Sequence, residues 1–351
     1  MVKKDLLLRV CILVLFVLAF IGALYLALRN NKSVVLTPLK GVQTNLTTQL
    51  HPLSIEAMRQ TSYPGSEIVI EEELPSGANF RQYITSYKSD GLKTYGLLSV
   101  PTTEKPKNGY PVIIFNHGYI PPTEYRTNER YIAYVNGFAS SGYVVYKPDY
   151  RGHGVSEGKP EGAYFSPSYT TDVMNALSSV KKLDYVNTGK IGMWGHSMGG
   201  TITQRAAVLS PDIKAAVIWG GVVGSYEDIY RDWWSKRNRP TPSISPSELN
   251  LNRSSRQTFI TQYGEPNMAN EFWSSISATS FLNFHTAPVS LHHGLTDESV
   301  PYQLSQDYYD KLKEAKKDVE IFFYEGNDHN ISQSFNLAMQ RSVEFFDKYL
   351  K

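Results

Sequence analysis

The 351-residue sequence has little cysteine and little excess charge of either sign. Its single cysteine, Cys11, excludes any intrachain disulfide, and therefore excludes the small secreted modules that depend on disulfides for stability. A domain without them needs a large hydrophobic core. Lys and Arg number 35 and Asp and Glu number 33, a formal net charge of +2. No basic stripe is visible, so we expect no nucleic-acid partner.

Metal-binding and cofactor signatures are also missing from the sequence. No spacing of His and Cys is typical of a metal site, and we expect neither a metal nor a cofactor. Hydrophobic residues make up 41% of the chain, with 25 glycines and 19 prolines. This composition is typical of a globular protein.

The one long apolar run lies at residues 6–28, where 23 residues include a single charge, Arg9. About 20 apolar residues span a bilayer as a helix. The run is longer than the apolar part of a secretory signal, and no clear cleavage site follows, which favours an uncleaved anchor over a signal peptide. We therefore predict a cytosolic tip and transmembrane anchor at residues 1–30, embedded in the lipid bilayer. The rest of the chain is predicted to be extracytoplasmic.

Residues 31–60 show little periodicity and are interpreted as a stalk, followed by one domain at residues 61–351. The domain opens with alternating runs, "EIVIEEE", "RQYITSY" and "LKTYGLLSV", separated by the turn sequences "PSGAN" and "SDG". Period-two patterns between such turns predict antiparallel strands.

From residue 111 the pattern changes to continuous apolar runs. They are "PVIIFNHG", "YVVYKPD", "KIGMWG", "AAVIWGG", "PVSLHHG" and "VEIFFYEG". Such runs are typical of strands buried on both faces. Helices are predicted around residues 125–141, 171–183, 198–209 and 335–350. The alternation predicts an α/β fold, with a mostly parallel central sheet, an antiparallel N-terminal edge and helices on both faces.

Residues 225–284 interrupt this alternation, with aromatic residues but no buried-strand pattern. A long insertion between sheet strands is usually functional or disordered, and the aromatic content argues against disorder. We interpret it as a helical lid insertion, called the lid segment below. Trp233 and Trp234 are candidates for binding an aromatic substrate group, and Glu227 and Asp228 for binding a substrate ammonium.

Ser197 lies at the centre of "WGHSMGG", between a predicted strand ending at Gly195 and a predicted helix beginning at Met198. A sharp strand–turn–helix junction is the context of a nucleophile elbow, whose neighbours must be small. Gly195 and Gly199 satisfy that requirement. The helix N-terminus directs N–H groups at the reacting centre. The pattern predicts Ser197 as a nucleophile.

A serine hydroxyl needs a neighbouring base, and in this layout the acid and then the histidine follow the serine. "LTDESVP" offers Asp297 and "NDHN" offers His329, each just beyond a predicted strand end. Open parallel sheets place their sites at that edge. Glu298 and Asp228 are alternative acids, while Asp328 is interpreted as a turn residue.

An oxyanion hole requires N–H donors aimed at the developing charge. The amide of Met198 is one candidate, and the amide of Tyr119, in the loop after the first buried strand, is the other. Five other histidines are expected to have no catalytic role: His117, His153 and His196 are interpreted as structural or pocket-lining, and His292 and His293 as packing residues at a strand end. "DYRGHGVSEG" is interpreted as a scaffold near the site.

Together these motifs resemble the α/β-hydrolase superfamily, and specifically the catalytic domains of the prolyl oligopeptidase family. The resemblance rests on "GYIPP" after "FNHG", "DYRGHGVSEG", "GHSMGG", "NDH" and the segment from "YGEPN" to "GLTDESVP". It implies an α/β-hydrolase fold with Ser197 as nucleophile, Asp297 as acid and His329 as base. It also implies the backbone of Tyr119 and Met198 as the oxyanion hole.

One departure concerns the β-propeller that precedes this domain in large prolyl oligopeptidases. About 80 residues separate the predicted span from the first buried strand, too few for a propeller of several four-stranded blades. The resemblance therefore predicts mechanism better than substrate.

The sequence predicts a membrane-anchored serine hydrolase that cleaves an ester or amide of a small-molecule or peptide substrate through an acyl-enzyme. A prolyl-oligopeptidase-like serine peptidase is the first interpretation. The alternatives are a carboxylesterase of acyl, feruloyl or acetyl type, and a catalytically inactive binding module of the same fold. A glycan on the Asn330 sequon would obstruct His329, which favours a bacterial source.

Overall fold

Nine strands form one mixed sheet in the computed structural model, which describes residues 50–236 and 246–351 and, for residues 246–254, the backbone only. The strands are β1 (Val69–Leu74), β2 (Phe80–Ser89), β3 (Leu92–Pro101), β4 (Tyr110–Asn116), β5 (Val144–Pro148), β6 (Val186–His196), β7 (Ile213–Trp219), β8 (Val289–Gly294) and β9 (Val319–Tyr324). Their order is β1-β2-β3-β5-β4-β6-β7-β8-β9. The β1–β2, β2–β3 and β3–β5 pairs are antiparallel, and the pairs from β5–β4 to β8–β9 are parallel.

Helices cover both faces of this sheet. The α-helices are α1 (Ile55–Gln60), α2 (Ile132–Ser140), α3 (Ser168–Val180), α4 (Met198–Leu209), α5 (Tyr226–Ile229), α6 (Pro246–Tyr263), α7 (Glu271–Ile276), α8 (Gln303–Glu314) and α9 (Phe335–Leu350). A π-helical turn (Tyr230–Trp234) follows α5, and 3-10 turns occupy Ala278–Phe284 and Ser332–Ser334.

Strand β4 shows why the apolar runs are continuous, since all of its residues are buried. Val112 and Ile114 contribute to a core with α3 and α4, whereas Ile113 and Phe115 contribute to a core with α2 and α9. Successive side chains of a strand point to opposite faces, so both faces of β4 must be apolar. The predicted α/β architecture with an antiparallel edge is confirmed.

The helix predicted at residues 125–141 begins later, at Ile132. Arg130 and Tyr131 have φ values of 52° and 56°, in the left-handed region that a right-handed helix excludes. The residues before Ile132 form turns instead.

The predicted stalk is too long, because residues 50–351 form one compact unit. Within the predicted stalk, α1 buries Ile55 and Met58 against Val208 and Ala278. A helix of six residues is too short to show a clear hydrophobic period in the sequence.

The predicted anchor at residues 1–30 and the stalk as far as residue 49 lie outside the described residues. Among residues 50–236 and 246–351, no helix is both long and apolar enough to cross a membrane. The described part of the lid segment contains helices and no strand, as the sequence predicts.

Candidate active site

Ser197 occupies the single residue between the end of β6 and the start of α4. Its backbone has φ 55° and ψ −119°, a conformation that L-residues rarely adopt and that costs about 1–3 kcal/mol. The neighbouring strand β7 and the loop after it hold this conformation. The Ser197 N–H donates to the Trp219 carbonyl at 3.1 Å, and the Ser197 carbonyl accepts from the Val222 N–H at 3.0 Å. The sharp elbow predicted from the sequence is therefore present.

Gly199 is required at this elbow by the close approach of β4. A Cβ at Gly199 would overlap the carbonyl oxygen of Asn116, the last residue of β4. A Cβ at Gly195 would lie 2.5 Å from the Gly199 carbonyl oxygen. These contacts explain why the residues two positions before and two positions after Ser197 are glycine.

His329 and Asp297, from the loops after β9 and β8, are joined by a short hydrogen bond. The His329 Nδ1–H donates to Asp297 Oδ2 at 2.6 Å. The Asp297 side chain is fully buried and that of His329 is 18% exposed. The other carboxylate oxygen, Oδ1, accepts from the Ser299 and Val300 N–H groups at 2.8 and 2.9 Å. The carboxylate is therefore fixed, and it fixes the imidazole.

The other carboxylates considered as acids have different surroundings. Glu298 is exposed. Asp228 forms ion pairs with Arg231 and Lys311. Asp328 accepts from Ser332 Oγ–H within its own turn, as expected for a turn residue.

His293 was expected only to pack, but it also contacts the proposed acid. It is fully buried, and its Nε2 lies 3.1 Å from Asp297 Oδ2. Burial by itself would raise the pKa of Asp297, yet the hydrogen bonds from His293 and His329 hold this pKa well below its usual value. The only signal in the sequence is that His293 stands four residues before Asp297 at a strand end.

The loops after β7 and β4 each pack closely against one of the two candidate residues, His329 and Ser197. Gly220 follows Trp219, the acceptor of the Ser197 N–H, and packs against the His329 ring. A Cβ at Gly220 would lie 3.1 Å from His329 Nδ1. In the loop after β4, a Cβ at Gly118 would lie 3.1 Å from Ser197 Cβ.

The candidate oxyanion donors lie at the same edge of the sheet as Ser197, because β4 and β6 are parallel neighbours that end side by side. Met198 is the first residue of α4, so its N–H has no acceptor within the helix. The Gly118 N–H already donates to the Tyr131 hydroxyl at 3.1 Å, which leaves the Tyr119 N–H as the next donor in the chain. The Tyr150 hydroxyl donates to the His117 carbonyl at 2.9 Å. This contact places the "DYRGHG" segment against the β4 loop, as a scaffold would be.

His117, the first residue of this loop, and His153 are both buried, with ring centroids 5.8 Å apart. Burial lowers the pKa of His153 to about 4 and that of His117 well below its usual value. Both rings are therefore neutral at neutral pH. Across residues 50–236 and 246–351, no group of three or more His, Cys, Asp or Glu side chains is placed to hold a metal ion.

Glu227 and Asp228, the predicted ammonium ligands, have partners within the protein. Glu227 Oε2 accepts from the Met268 N–H at 2.8 Å, and Asp228 pairs with Lys311 at 3.2 Å. Both carboxylates line a cavity of about 620 Å³ beside α8. Neither Ser197 nor the Asp297–His329 pair lines this cavity.

Trp233 and Trp234, the predicted aromatic contacts, have different surroundings. Trp234 is 9% exposed and packs against Phe165 with ring centroids 5.3 Å apart. Trp233 donates its indole N–H to the Ser299 carbonyl at 2.7 Å. Ser299 also donates its N–H to Asp297, so Trp233 links the lid segment to the loop that carries the proposed acid.

The mixed sheet, the strained serine after β6 and the hydrogen-bonded pair after β8 and β9 define a serine hydrolase of the α/β-hydrolase superfamily. Residues 110–333 match the model of the family described as serine aminopeptidase, S33. This match spans more than half of the chain, and the protein belongs to that family.

Relatives of known sequence and structure agree with this assignment. The chain is 26% identical over 281 residues to "Uncharacterized peptidase YtmA" of Bacillus subtilis, which covers 79% of this chain and 97% of that protein. It is 25% identical over 285 residues to "Probable dipeptidyl-aminopeptidase B" of Aspergillus oryzae, covering 76% of this chain but only 29% of that protein. Among solved structures, an acetyl xylan esterase from Paenibacillus sp. R4 has a TM-score of 0.59 at 19% identity, covering 84% of this chain and 92% of that chain. At this identity the structural likeness concerns the fold.

Proposed function

We propose that this hydrolase cleaves an acyl bond through an acyl-enzyme, with Ser197 as nucleophile, His329 as base and Asp297 as the acid that orients the base. The observation that carries the proposal is the 2.6 Å hydrogen bond between His329 Nδ1 and Asp297 Oδ2. It leaves Nε2 of the neutral imidazole unprotonated and able to accept the Ser197 proton. In free enzymes the hydrogen bond between a nucleophile and its base is often long, and it tightens when substrate binds.

The proposed reaction has two similar steps, acylation of Ser197 and then hydrolysis of the acyl-enzyme. Ser197 Oγ attacks the acyl carbon as its proton moves to His329 Nε2, and the developing oxyanion is bound by the Met198 and Tyr119 N–H groups. The imidazolium returns this proton to the leaving amine or alcohol, and the acyl group remains on Ser197. Water then attacks the acyl-enzyme with the same proton transfers, which releases the carboxylic acid and restores the serine.

The substrate class that we propose is a peptide amide, as in a prolyl-oligopeptidase-like peptidase. The family description, serine aminopeptidase, and the likeness to a B. subtilis peptidase over 97% of its length support it. A carboxylesterase is the second candidate, supported by the fold likeness to an acetyl xylan esterase over 92% of that chain. The same three groups serve both reactions, so only the acyl and leaving-group contacts distinguish them.

Substrate comparison tests this choice. We expect cleavage of a prolyl peptide p-nitroanilide, with kcat/KM within about tenfold of that for p-nitrophenyl acetate although the anilide is intrinsically far less reactive. The matched alanyl nitroanilide measures the preference for proline. Ester turnover without detectable cleavage of either anilide would make the chain a carboxylesterase. Failure to turn over any of the three would favour the inactive binding module.

We also propose that residues 6–28 anchor the protein in a bilayer, with residues 61–351 extracytoplasmic. Support comes from the length of the apolar run and its single charge. After alkaline carbonate extraction, the full chain should stay in the membrane pellet, while a variant lacking residues 1–30 should be recovered in the supernatant. Recovery of the full chain in the supernatant would contradict the anchor.

A further inference from the structure

Tyr131 and His196 connect two loops that the proposed reaction needs. The Tyr131 hydroxyl accepts a hydrogen bond from the Gly118 N–H at 3.1 Å and lies 2.7 Å from His196 Nδ1. His196 Nε2 lies 3.0 Å from the His329 carbonyl oxygen. The resulting bridge runs from Gly118 through Tyr131 and His196 to His329.

The donor of each hydrogen bond in this bridge can be assigned. A carbonyl oxygen only accepts, so His196 Nε2 carries the proton that points at His329. Burial, followed by the proximity of His329, lowers the pKa of His196 to about 3, and the ring is therefore neutral. Its Nδ1 then accepts from the Tyr131 hydroxyl, which itself accepts from the Gly118 N–H. Each of the three hydrogen bonds in the bridge therefore has one defined donor and one defined acceptor.

The two ends of the bridge lie in the two loops that carry proposed catalytic groups. Gly118 directly precedes Tyr119, whose N–H is a proposed oxyanion donor, and His329 is the proposed base. His196, the central member, directly precedes the nucleophile and is 2% exposed. A displacement of about 1 Å at a reacting group can lower a rate about 100-fold, so a bond network that sets these distances affects catalysis without touching substrate.

The backbone at Tyr131 is strained in a way that this bridge explains. Tyr131 is the N-cap residue directly before α2, yet it has φ 56° and makes no side-chain capping hydrogen bond to the helix. Ser, Asp or Asn would be favoured at such a position. Residues held in the left-handed region cluster at functional sites. The ring is instead directed at His196, with ring centroids 5.5 Å apart.

We infer that Tyr131 and His196 are positioning residues that fix the Tyr119 amide and the His329 imidazole relative to Ser197. The inference rests on the proposed function, because it assumes those roles for the amide, the imidazole and the serine. It assigns to the histidine before the nucleophile a role that the sequence alone does not indicate.

The first test is Tyr131→Phe in the full chain, which removes the shared hydroxyl and retains the ring. We expect kcat to fall about 10- to 100-fold with KM within about twofold, because ground-state contacts to substrate are unchanged. Tyr143→Phe is the matched control, since it loses a tyrosine hydrogen bond of 2.6 Å to Asp347 on α9. If the Tyr131 hydroxyl had only a structural role, the two variants would lose similar amounts of Tm, and their kcat values would fall by similar factors. A Tyr131→Phe enzyme with kcat within twofold of wild type overturns the inference.

The second test compares two substitutions of His196, a comparison that does not involve the tyrosine variant. The side-chain amide in His196→Gln offers one acceptor and one donor group, whereas His196→Leu offers neither. We expect the Gln variant to retain at least about tenfold more kcat than the Leu variant. Because both positions belong to one bridge, Tyr131→Phe should cost nothing further in the Leu background. Equal kcat for the Gln and Leu variants, or fully additive losses, overturns the bridge.

Ser197→Ala, assayed beside these variants with a fluorophosphonate probe, separates the two proposals. Loss of labelling in Ser197→Ala together with wild-type kcat in Tyr131→Phe overturns the bridge alone. Labelling retained in Ser197→Ala overturns the proposed nucleophile.

Discussion

Replacing Ser197 by Ala should lower kcat by at least about 10⁴-fold and abolish covalent labelling by a fluorophosphonate. The substitution removes the only atom that can form the acyl-enzyme in the proposed reaction, while the oxyanion donors remain. Folding should be preserved, since alanine has the same backbone preferences as serine at φ 55° and leaves the bonds to Trp219 and Val222 in place. Activity and Tm, measured on the same preparation, check both parts.

Ser210→Ala provides the control for that experiment. Ser210 lies directly after α4 at the far end from the elbow, and its hydroxyl accepts only the Asp212 N–H among the described contacts. This variant should label and turn over like the wild type. Labelling that persists in Ser197→Ala but disappears in Ser210→Ala would show that the elbow serine is not the nucleophile.

Replacing Asp297 by Asn should lower kcat/KM about 10⁴-fold, the second-largest effect. The amide NH₂ of asparagine would face His329 Nδ1 and favour the tautomer with its proton on Nε2, which cannot accept the serine proton. The two backbone N–H groups of Ser299 and Val300 can still bind the remaining carbonyl oxygen, so the loop should keep its position. Fluorophosphonate labelling should be slow but detectable, because Ser197 is still present.

Glu298→Gln is the matched control, since it makes the same chemical change one residue further along the chain. Glu298 is exposed, and neutralising it should leave kcat/KM within about twofold. The reverse result, a large loss in Glu298→Gln and a small one in Asp297→Asn, would assign the acid to Glu298. Both variants should be compared at the pH of maximal wild-type activity.

The strands and the two helices nearest the chemistry were predictable from local pattern. Helix α4 begins at Met198 and α9 ends at Leu350 as predicted, because each has a clear start signal or a strong apolar period. Two predictions failed where the controlling feature was not local. Helix α2 begins after the left-handed Arg130 and Tyr131, and α1 buries Ile55 although the surrounding sequence shows no period.

In the candidate site, too, some features were predictable from the sequence and others were not. The order of serine, acid and histidine along the chain, each beyond a strand, was visible because parallel strands end at one edge of a sheet. The roles of neighbouring polar residues were not visible. Asp228 lies within an ion-paired cluster, and His293 shares the oxygen of Asp297 that binds His329.

The sequence by itself determined the α/β class, the elbow around Ser197 and the loops that carry the proposed acid and base. These follow from residue size, hydrophobic period and chain order, which are local properties. Only the tertiary structure decided that Asp297 rather than Glu298 meets His329, and that Tyr131 and His196 connect Gly118 to His329. The physical reason is that a hydrogen bond requires distances near 3 Å between groups far apart in the chain, and strand register and loop conformation set those distances.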